Sequence, residues 1–424
     1  MRILLVNPYV TDFACYDYWL KPLGLLYLSS ILKEKKYYVD ILDCMDRYHP
    51  YMKRHKTDIY GTGSFRSRRR QKPLPLRKYP KKYNNYGLCG SRLKKAIQNH
   101  KKPDYIIMTS GMTYWYPGVK ETAAIIKEVY PETPLLLGGI YASLCPEHAR
   151  ANVQADYVIE GGGFSDLFKI IGGSAPEFES WPAPDYSFYE QAPYVVLRTS
   201  RGCPWQCAYC GIKKIFGGFE IKNSKKIYRE VDLLKKKYNV KNIVFYDDAL
   251  LRNPCFKEYL ENPVMGVRYF TPNGLEVSAV DKAVASLLKN AGFVDPCISA
   301  DRLIEYKTEG KMKQADPEEA ADALRSAGYE EGEFSAYLIM GLPGQKLSEV
   351  SSSAEYLHSL GARINLAEYA VVPGSAESEK HDLSILEEPL LHNNSIFPSF
   401  GLREWGDIYK VKRHINKLNK RIEK

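Results

Sequence analysis

Short apolar runs recur along this chain, and most are followed by a stretch of helical spacing. RILLVN (Arg2–Asn7) precedes the helical pattern Gly24–Tyr37, and VDILD (Val39–Asp43) follows it. DYIIMTS (Asp104–Ser110) leads into the helix Val119–Tyr130, and PLLLGG (Pro134–Gly139) and ADYVIEGGG (Ala155–Gly163) end in glycines. Continuously apolar strands alternating with crossover helices mean a parallel sheet covered on both faces. This half therefore reads as a doubly wound, Rossmann-like domain over 1–165, with ligands expected at the carboxyl ends of its strands. A Pro- and aromatic-rich stretch reads as an ordered linker, 166–193.

The alternation then resumes. Strands are expected at Val195–Thr199, Asn242–Asp248, Val267–Gly274, Pro296–Asp301, Phe334–Gly344 and Ile364–Gly374. Helices are expected at Lys225–Tyr238, Asp281–Gly292 and Pro317–Gly328, the last ending on a glycine suited to a C-terminal cap. The span 194–384 is shorter than the ~250 residues of a complete eight-unit barrel. The expected fold is thus α/β: a doubly wound domain, then a partial (β/α)6 TIM-type barrel, then a short helical tail over 385–424. The basic pattern YKVKRHINKLNKRIEK in that tail reads as a docking or frayed surface helix.

The net charge of +10 is unevenly placed. Between Arg47 and Lys95 there are 16 Lys/Arg and one acid, Asp58, so this segment carries +15 and the rest about −5. The segment, an insertion over 47–95, also holds six tyrosines. Cations interleaved with aromatics can bind nucleic acid. The alternative is a solvated, irregular insertion whose charges face water or a phosphate-bearing ligand. No apolar run reaches the roughly 18 residues of a membrane span. MRILLVNPYV meets Asn7-Pro8 at once and reads as a strand and turn rather than a secretory signal, so a cytoplasmic, reducing location is expected.

Three of the nine cysteines lie in RGCPWQCAYC: Cys203, Cys207 and Cys210, spaced C-x3-C-x2-C after the first barrel strand. The next cysteine is Cys255. Three thiolates can hold three irons of a cubane [4Fe–4S] cluster and leave the fourth iron open to a ligand. The alternative is a structural zinc site closed by a remote Cys or His. Zinc ligands usually come as two close couples, and no histidine falls within the motif.

In this setting, with Tyr209 before the last cysteine, the motif resembles that of the radical S-adenosylmethionine (SAM) enzymes. YDD (Tyr246–Asp248), NGLEVSAVD (Asn273–Asp281), LLKNAGF (Leu287–Phe293), MGLPG (Met340–Gly344) and VPG (Val372–Gly374) add to the likeness. LLLGGIYASLCPEHA and DYVIEGGG resemble the cobalamin-binding domain that often precedes such barrels. The resemblance covers roughly 1–380.

It implies that Cys203, Cys207 and Cys210 hold the cluster and that SAM chelates the open iron. Reductive cleavage of SAM would then give a 5′-deoxyadenosyl radical. It places Tyr209 by the adenine, and Asp247 and Asp248 as acceptors for the SAM ammonium. Asn273 and Gly274 would approach SAM, Ser299 and Asp301 would meet the ribose, and Gly341, Gly344 and Pro373 would shape the adenine wall. Ser110, Gly138 and Gly139 would approach a cobalamin nucleotide tail. A bound corrin would imply methyl transfer to an unactivated carbon. Radical cyclisation or rearrangement is the alternative, and a zinc-stabilised nucleic-acid-binding protein using Arg66–Lys82 is the rival from another class. A one-electron donor such as flavodoxin or ferredoxin, and a small-molecule, lipid or peptide substrate, complete the implied partners. The chain departs from the family's patterns in three places. GQK stands for the usual GET, Ser-Ala-Asp for Ser-x-Glu, and the D-x-H-x-x-G of cobalamin domains is absent after Asp43.

Overall fold

The computed structural model describes residues 1–52, 57–301, 303 and 316–422. They form two compact units. The first comprises Met1–Val196, Lys214–Gly217 and Leu383–Asn393, the second Leu197–Lys213, Gly218–Asp382 and Asn394–Lys424.

The first unit is built on a parallel sheet of β1 (Arg2–Asn7), β2 (Tyr38–Asp43), β3 (Tyr105–Met108), β4 (Leu135–Leu137) and β5 (Tyr157–Val158), ordered β5-β4-β3-β1-β2. Central β1 buries Ile3, Leu4, Leu5 and Val6 in succession, as a strand covered on both faces must. The helix Leu23–Glu34 packs Leu25, Leu28, Ile31 and Leu32 into the core with Ile3 and Leu5. The stretch expected as a linker is packed into this same core. Trp181 is buried among Tyr27, Phe164 and Phe178, and the Tyr186 hydroxyl donates to the Val196 carbonyl at 2.9 Å.

The basic insertion is not irregular. Ser67–Arg69 and Asn84–Tyr86 pair antiparallel, and Val10–Asp12 joins them. Tyr79, Tyr83 and Tyr86 are buried there, with the Tyr83 hydroxyl on Thr11 Oγ1 at 3.1 Å and that of Tyr86 on the Phe13 carbonyl at 3.1 Å. Half of the six tyrosines are therefore core residues and not a platform for stacking bases.

Six barrel strands follow: β6 (Val195–Leu197), which ends on the first residue of the second unit, and within that unit β7 (Asn242–Phe245), β8 (Arg268–Phe270), β9 (Cys297–Ser299), β10 (Ser335–Met340) and β11 (Arg363–Glu368). β6, β7 and β8 form one sheet; the short strand Leu275–Glu276 joins β9, β10 and β11 in another. Helix ends follow local chemistry. Asn223 caps Ser224–Tyr238 through the Lys226 N–H, and Asp281 caps Lys282–Ala291 through the Val284 N–H. The tail helix Trp405–Ile422 is docked, not frayed: it buries Ile408, Val411, Ile415 and Leu418. Its Asn419 amide accepts from the Ile364 N–H at 2.8 Å and donates to the Ile364 carbonyl at 3.0 Å, so a side chain satisfies one residue of β11 as a neighbouring strand would. No described helix is long and apolar enough to cross a membrane.

Candidate active site

The cysteine loop is stapled at its base. Ser200–Arg201 pairs antiparallel with Glu220–Ile221, and the Arg201 guanidinium meets Glu220. Beneath the staple lies Asp247, at the end of β7 and 1% exposed. Its carboxylate accepts from the Thr199 N–H (2.9 Å), the Thr199 hydroxyl (2.8 Å), the Ser200 N–H and the Ser200 hydroxyl (2.7 Å). Asn253 spans the same floor, donating to the carbonyls of Thr199 (3.1 Å) and Lys222 (3.3 Å). Trp205 in the loop donates to Glu276 at 2.9 Å, and Arg252 both pairs with Glu276 and lies over the Trp205 ring. The loop's Ala208 carbonyl accepts from the Glu377 N–H at 2.9 Å.

Cys203 and Cys207 are half-buried and Cys210 is exposed. Desolvation, then the charge of the neighbouring thiols, raises the Cys203 thiol and pushes that of Cys210 up to about 11; Asp248 acts on both in the same sense. Thiols that disfavour one another's ionisation would be compensated by a positively charged metal load, which would hold them as thiolates. Among the described residues no three His, Cys, Asp or Glu side chains are close enough to share a single ion. A cubane asks three of its four irons to take one thiolate each from the chain, and the soft donor set suits it.

Asp248 pairs with Arg198 at 3.0 Å, and burial raises its carboxyl despite that partner. The Tyr209 hydroxyl donates to Asp301, and burial and then that carboxylate hold the phenol far above its ordinary value. Asn273 donates to the Asp247 carbonyl at 3.1 Å, tying β7 to the turn after β8. Gly274 has φ +84, and a Cβ there would run into Ser299 Oγ, so the two expected SAM contacts are neighbours. Gly341 has φ +103 beside Tyr369 and Phe400, Gly344 has open space, and Pro373 is half-buried after β11.

Two expected cofactor contacts are engaged within the chain. Asp247 Oδ1 takes the N–H and hydroxyl groups of both Thr199 and Ser200, and its Oδ2 shares only the Thr199 N–H, at 3.2 Å. Ser110 is equally engaged: its hydroxyl donates to the Gly138 carbonyl at 2.6 Å and accepts from the Ala142 N–H at 3.2 Å. Gly139, at φ +94, abuts the Ser110 backbone, so its missing Cβ serves packing; Gly138 has a clear side.

Three further residues were not among the expected contacts, although GQK had marked the first as a departure. Gln345, where the family has the glutamate of GET, accepts from the Gly341 N–H at 2.8 Å and donates to the Ile339 carbonyl at 2.9 Å. Only an amide does both, so Gln345→Glu is expected to lower stability by about 1–3 kcal/mol, the cost of an unmet buried partner, as read from denaturant midpoints. Glu377 and His381, on the loop after β11, each keep a buried atom, Oε2 and Nε2, with no protein partner. No motif marks either.

Residues 197–357 match the family model of the Radical SAM superfamily. They form a radical SAM domain, almost all of it within the second unit, the kind of domain that takes a [4Fe–4S] cluster and SAM. Similar solved structures extend the likeness to the first unit. The radical SAM methyltransferase TsrM from Kitasatospora setae, bound to cobalamin and a [4Fe–4S] cluster, is 14% identical with a TM-score of 0.67, covering 98% of this chain and 90% of that one. The cobalamin-dependent radical SAM enzyme OxsB, 14% identical, has a TM-score of 0.57 over 94% of this chain and 56% of that one. An anaerobic magnesium-protoporphyrin IX monomethyl ester cyclase of Rubrivivax gelatinosus is 20% identical over 269 residues, 53% of this chain and 48% of the cyclase. The chain thus spans about half the length of that relative. An uncharacterized methyltransferase of Pyrococcus horikoshii is 22% identical over 335 residues, 69% of this chain and 72% of that one.

Proposed function

We propose that this enzyme transfers a methyl group to an unactivated carbon of a small-molecule, lipid or peptide substrate, using cobalamin in its first unit. The carrying observation is the doubly wound unit in one chain with the cysteine loop, a fold shared with TsrM and OxsB. When bound, the cluster supplies the electron for reductive cleavage of SAM. Cys203, Cys207 and Cys210 hold it, and Asp247, Thr199 and Ser200 keep their loop in place. Asp248, oriented by Arg198, accepts from the SAM ammonium. Tyr209 and Asp301 close on each other and, with Asn273, Gly274 and Ser299, line the strand ends against water. Gly341, Gly344 and Pro373 border the adenine. In the first unit Met45 stands two residues after Asp43, where the family motif has histidine, so the chain offers a corrin no imidazole there. The open side of Gly138 admits its nucleotide tail.

The test is anaerobic purification after growth with cobalamin, followed by turnover with SAM deuterated in its methyl group. About four irons per chain, as one cubane requires, near-stoichiometric cobalt and a product carrying the label are expected. The cyclase relative favours a second reading, radical cyclisation, which iron without cobalt and an unmethylated product would establish instead. Zinc without iron after reconstitution would overturn both. A flavodoxin- or ferredoxin-type donor and a cytoplasmic site of action accompany the proposal.

A further inference from the structure

Two open surface cavities of about 560 and 460 Å³ lie on the basic insertion, and Arg68 and Asn85 line both. The pairing of Ser67–Arg69 with Asn84–Tyr86 sets these two residues opposite each other. Arg69 and Arg77 line the first cavity, Arg66 and Arg92 the second. Arg70 is neutralised by Glu121 at 2.7 Å, the one carboxylate on either wall, and Lys72 is spent on the carbonyls of Arg77 and Tyr79. Among the described residues Arg66, Arg68, Arg69, Arg77 and Arg92 face no carboxylate partner. Arg66 Nη1 is buried without any hydrogen-bond partner.

Holding that many guanidinium groups together is unfavourable by mutual repulsion, and withdrawing Arg66 Nη1 from water adds the cost of an unmet charged donor. The second cavity also receives Ser91 and Arg92, the first residues of the helix Ser91–Gln98, which has neither a side-chain cap nor an acid in its first turn. Guanidinium forks and free N–H groups at a helix start match the oxygens of a phosphate. The cavity sizes exceed what a single phosphate fills and fall in the range of small-molecule sites. Burial of Tyr79, Tyr83 and Tyr86 removes the stacking surface that single-stranded nucleic acid uses.

We propose that the two cavities form a binding site for a phosphorylated small organic molecule, with Arg66 and Arg68 as its phosphate ligands and Arg69, Arg77 and Arg92 around it. The phosphate comes either from a substrate or from the nucleotide loop of a corrin. The site stands on the first unit alone and does not depend on methyl transfer.

The experiment is calorimetric titration of the full-length protein, cluster-loaded and without cobalamin, with inorganic pyrophosphate at low salt. Arg68→Gln, Arg66→Gln and, as a charge-matched control, Lys236→Gln on an exposed helix face of the second unit are compared. Each arginine variant is expected to bind about tenfold more weakly, one charge-assisted contact's worth, and the control to match the wild type. Arg68 is exposed, so its variant stays informative if Arg66→Gln misfolds. Pyrophosphate binding unchanged in Arg68→Gln, or none at millimolar concentration in the wild type, overturns the proposal. Tighter binding of a 20-nucleotide RNA, with a salt dependence counting several phosphates, overturns the small-molecule assignment. Loss of pyrophosphate binding on cobalamin loading supports the site and assigns its phosphate to the corrin; unchanged binding supports it as a substrate site.

Discussion

Asp247→Ala is expected to lower stability by about 3–5 kcal/mol and to deplete the protein of iron, although Asp247 is not a cluster ligand. The carboxylate gathers the N–H and hydroxyl groups of Thr199 and Ser200, which lead directly into Arg201-Gly202-Cys203. Removing it leaves several buried donors unmet, each costing about 1–3 kcal/mol, partly recovered as water enters. The base of the cysteine loop then loses its anchor. A SAM contact would behave differently: melting temperature and iron content would hold, and only the KM for SAM would rise. Asp248→Ala is the paired measurement. Its partner Arg198 is one ion pair, so stability should change less and SAM affinity more. Thermal melts, iron per chain and KM on the two variants separate an anchor from a ligand contact. Equal melts with a KM effect in Asp247→Ala would refute the anchor.

Asp247 shows where a sequence stops being readable. A YDD at a strand end fixes the place of two carboxylates, and both do lie at the end of β7. Which of them is turned into the protein depends on Thr199 and Ser200, nearly fifty positions earlier and indistinguishable in sequence from other polar loop residues. The strands were legible because parallel-sheet burial writes continuous apolar runs such as RILLVN. The cysteine loop was legible because ligand spacing is local. The insertion was half legible: its charge was plain, but an aromatic between lysines looks the same whether it stacks on a base or, like Tyr83, sits in a core. Asn419 on β11 had no signal, since a side chain completing a strand 55 residues away leaves no periodicity. The same holds for Lys222, one of many lysines and yet fully buried.

Lys222→Met is therefore the substitution expected to do most harm for the least apparent reason. Lys222 is 0% exposed and Glu230 3%; the ammonium meets both carboxylate oxygens, at 2.9 and 2.8 Å. Burial lowers the Lys222 pKa and raises that of Glu230, and their mutual attraction opposes both shifts. Removing one partner of such a pair costs about 3–5 kcal/mol, because a buried charge is left behind. Lys226, 3.6 Å from Glu230, softens that cost without abolishing it. The pH signature follows from the direction of the Glu230 shift. A carboxyl whose folded pKa lies above its unfolded one favours the fold while protonated, and that support is lost as pH rises through the folded value. The single variant should therefore be more stable near pH 5 than near pH 8, relative to wild type. The double variant Lys222→Met/Glu230→Leu leaves no charge to strand and should recover most of the loss. Recovery would show the pair to be replaceable packing beneath the cysteine loop. No recovery would mean that the Lys222 ammonium itself is needed there, since the N–H that residue 222 gives Thr199 and the carbonyl it offers Asn253 belong to the backbone. Those backbone contacts survive the methionine, so recovery is the expected result, together with an iron content matching wild type.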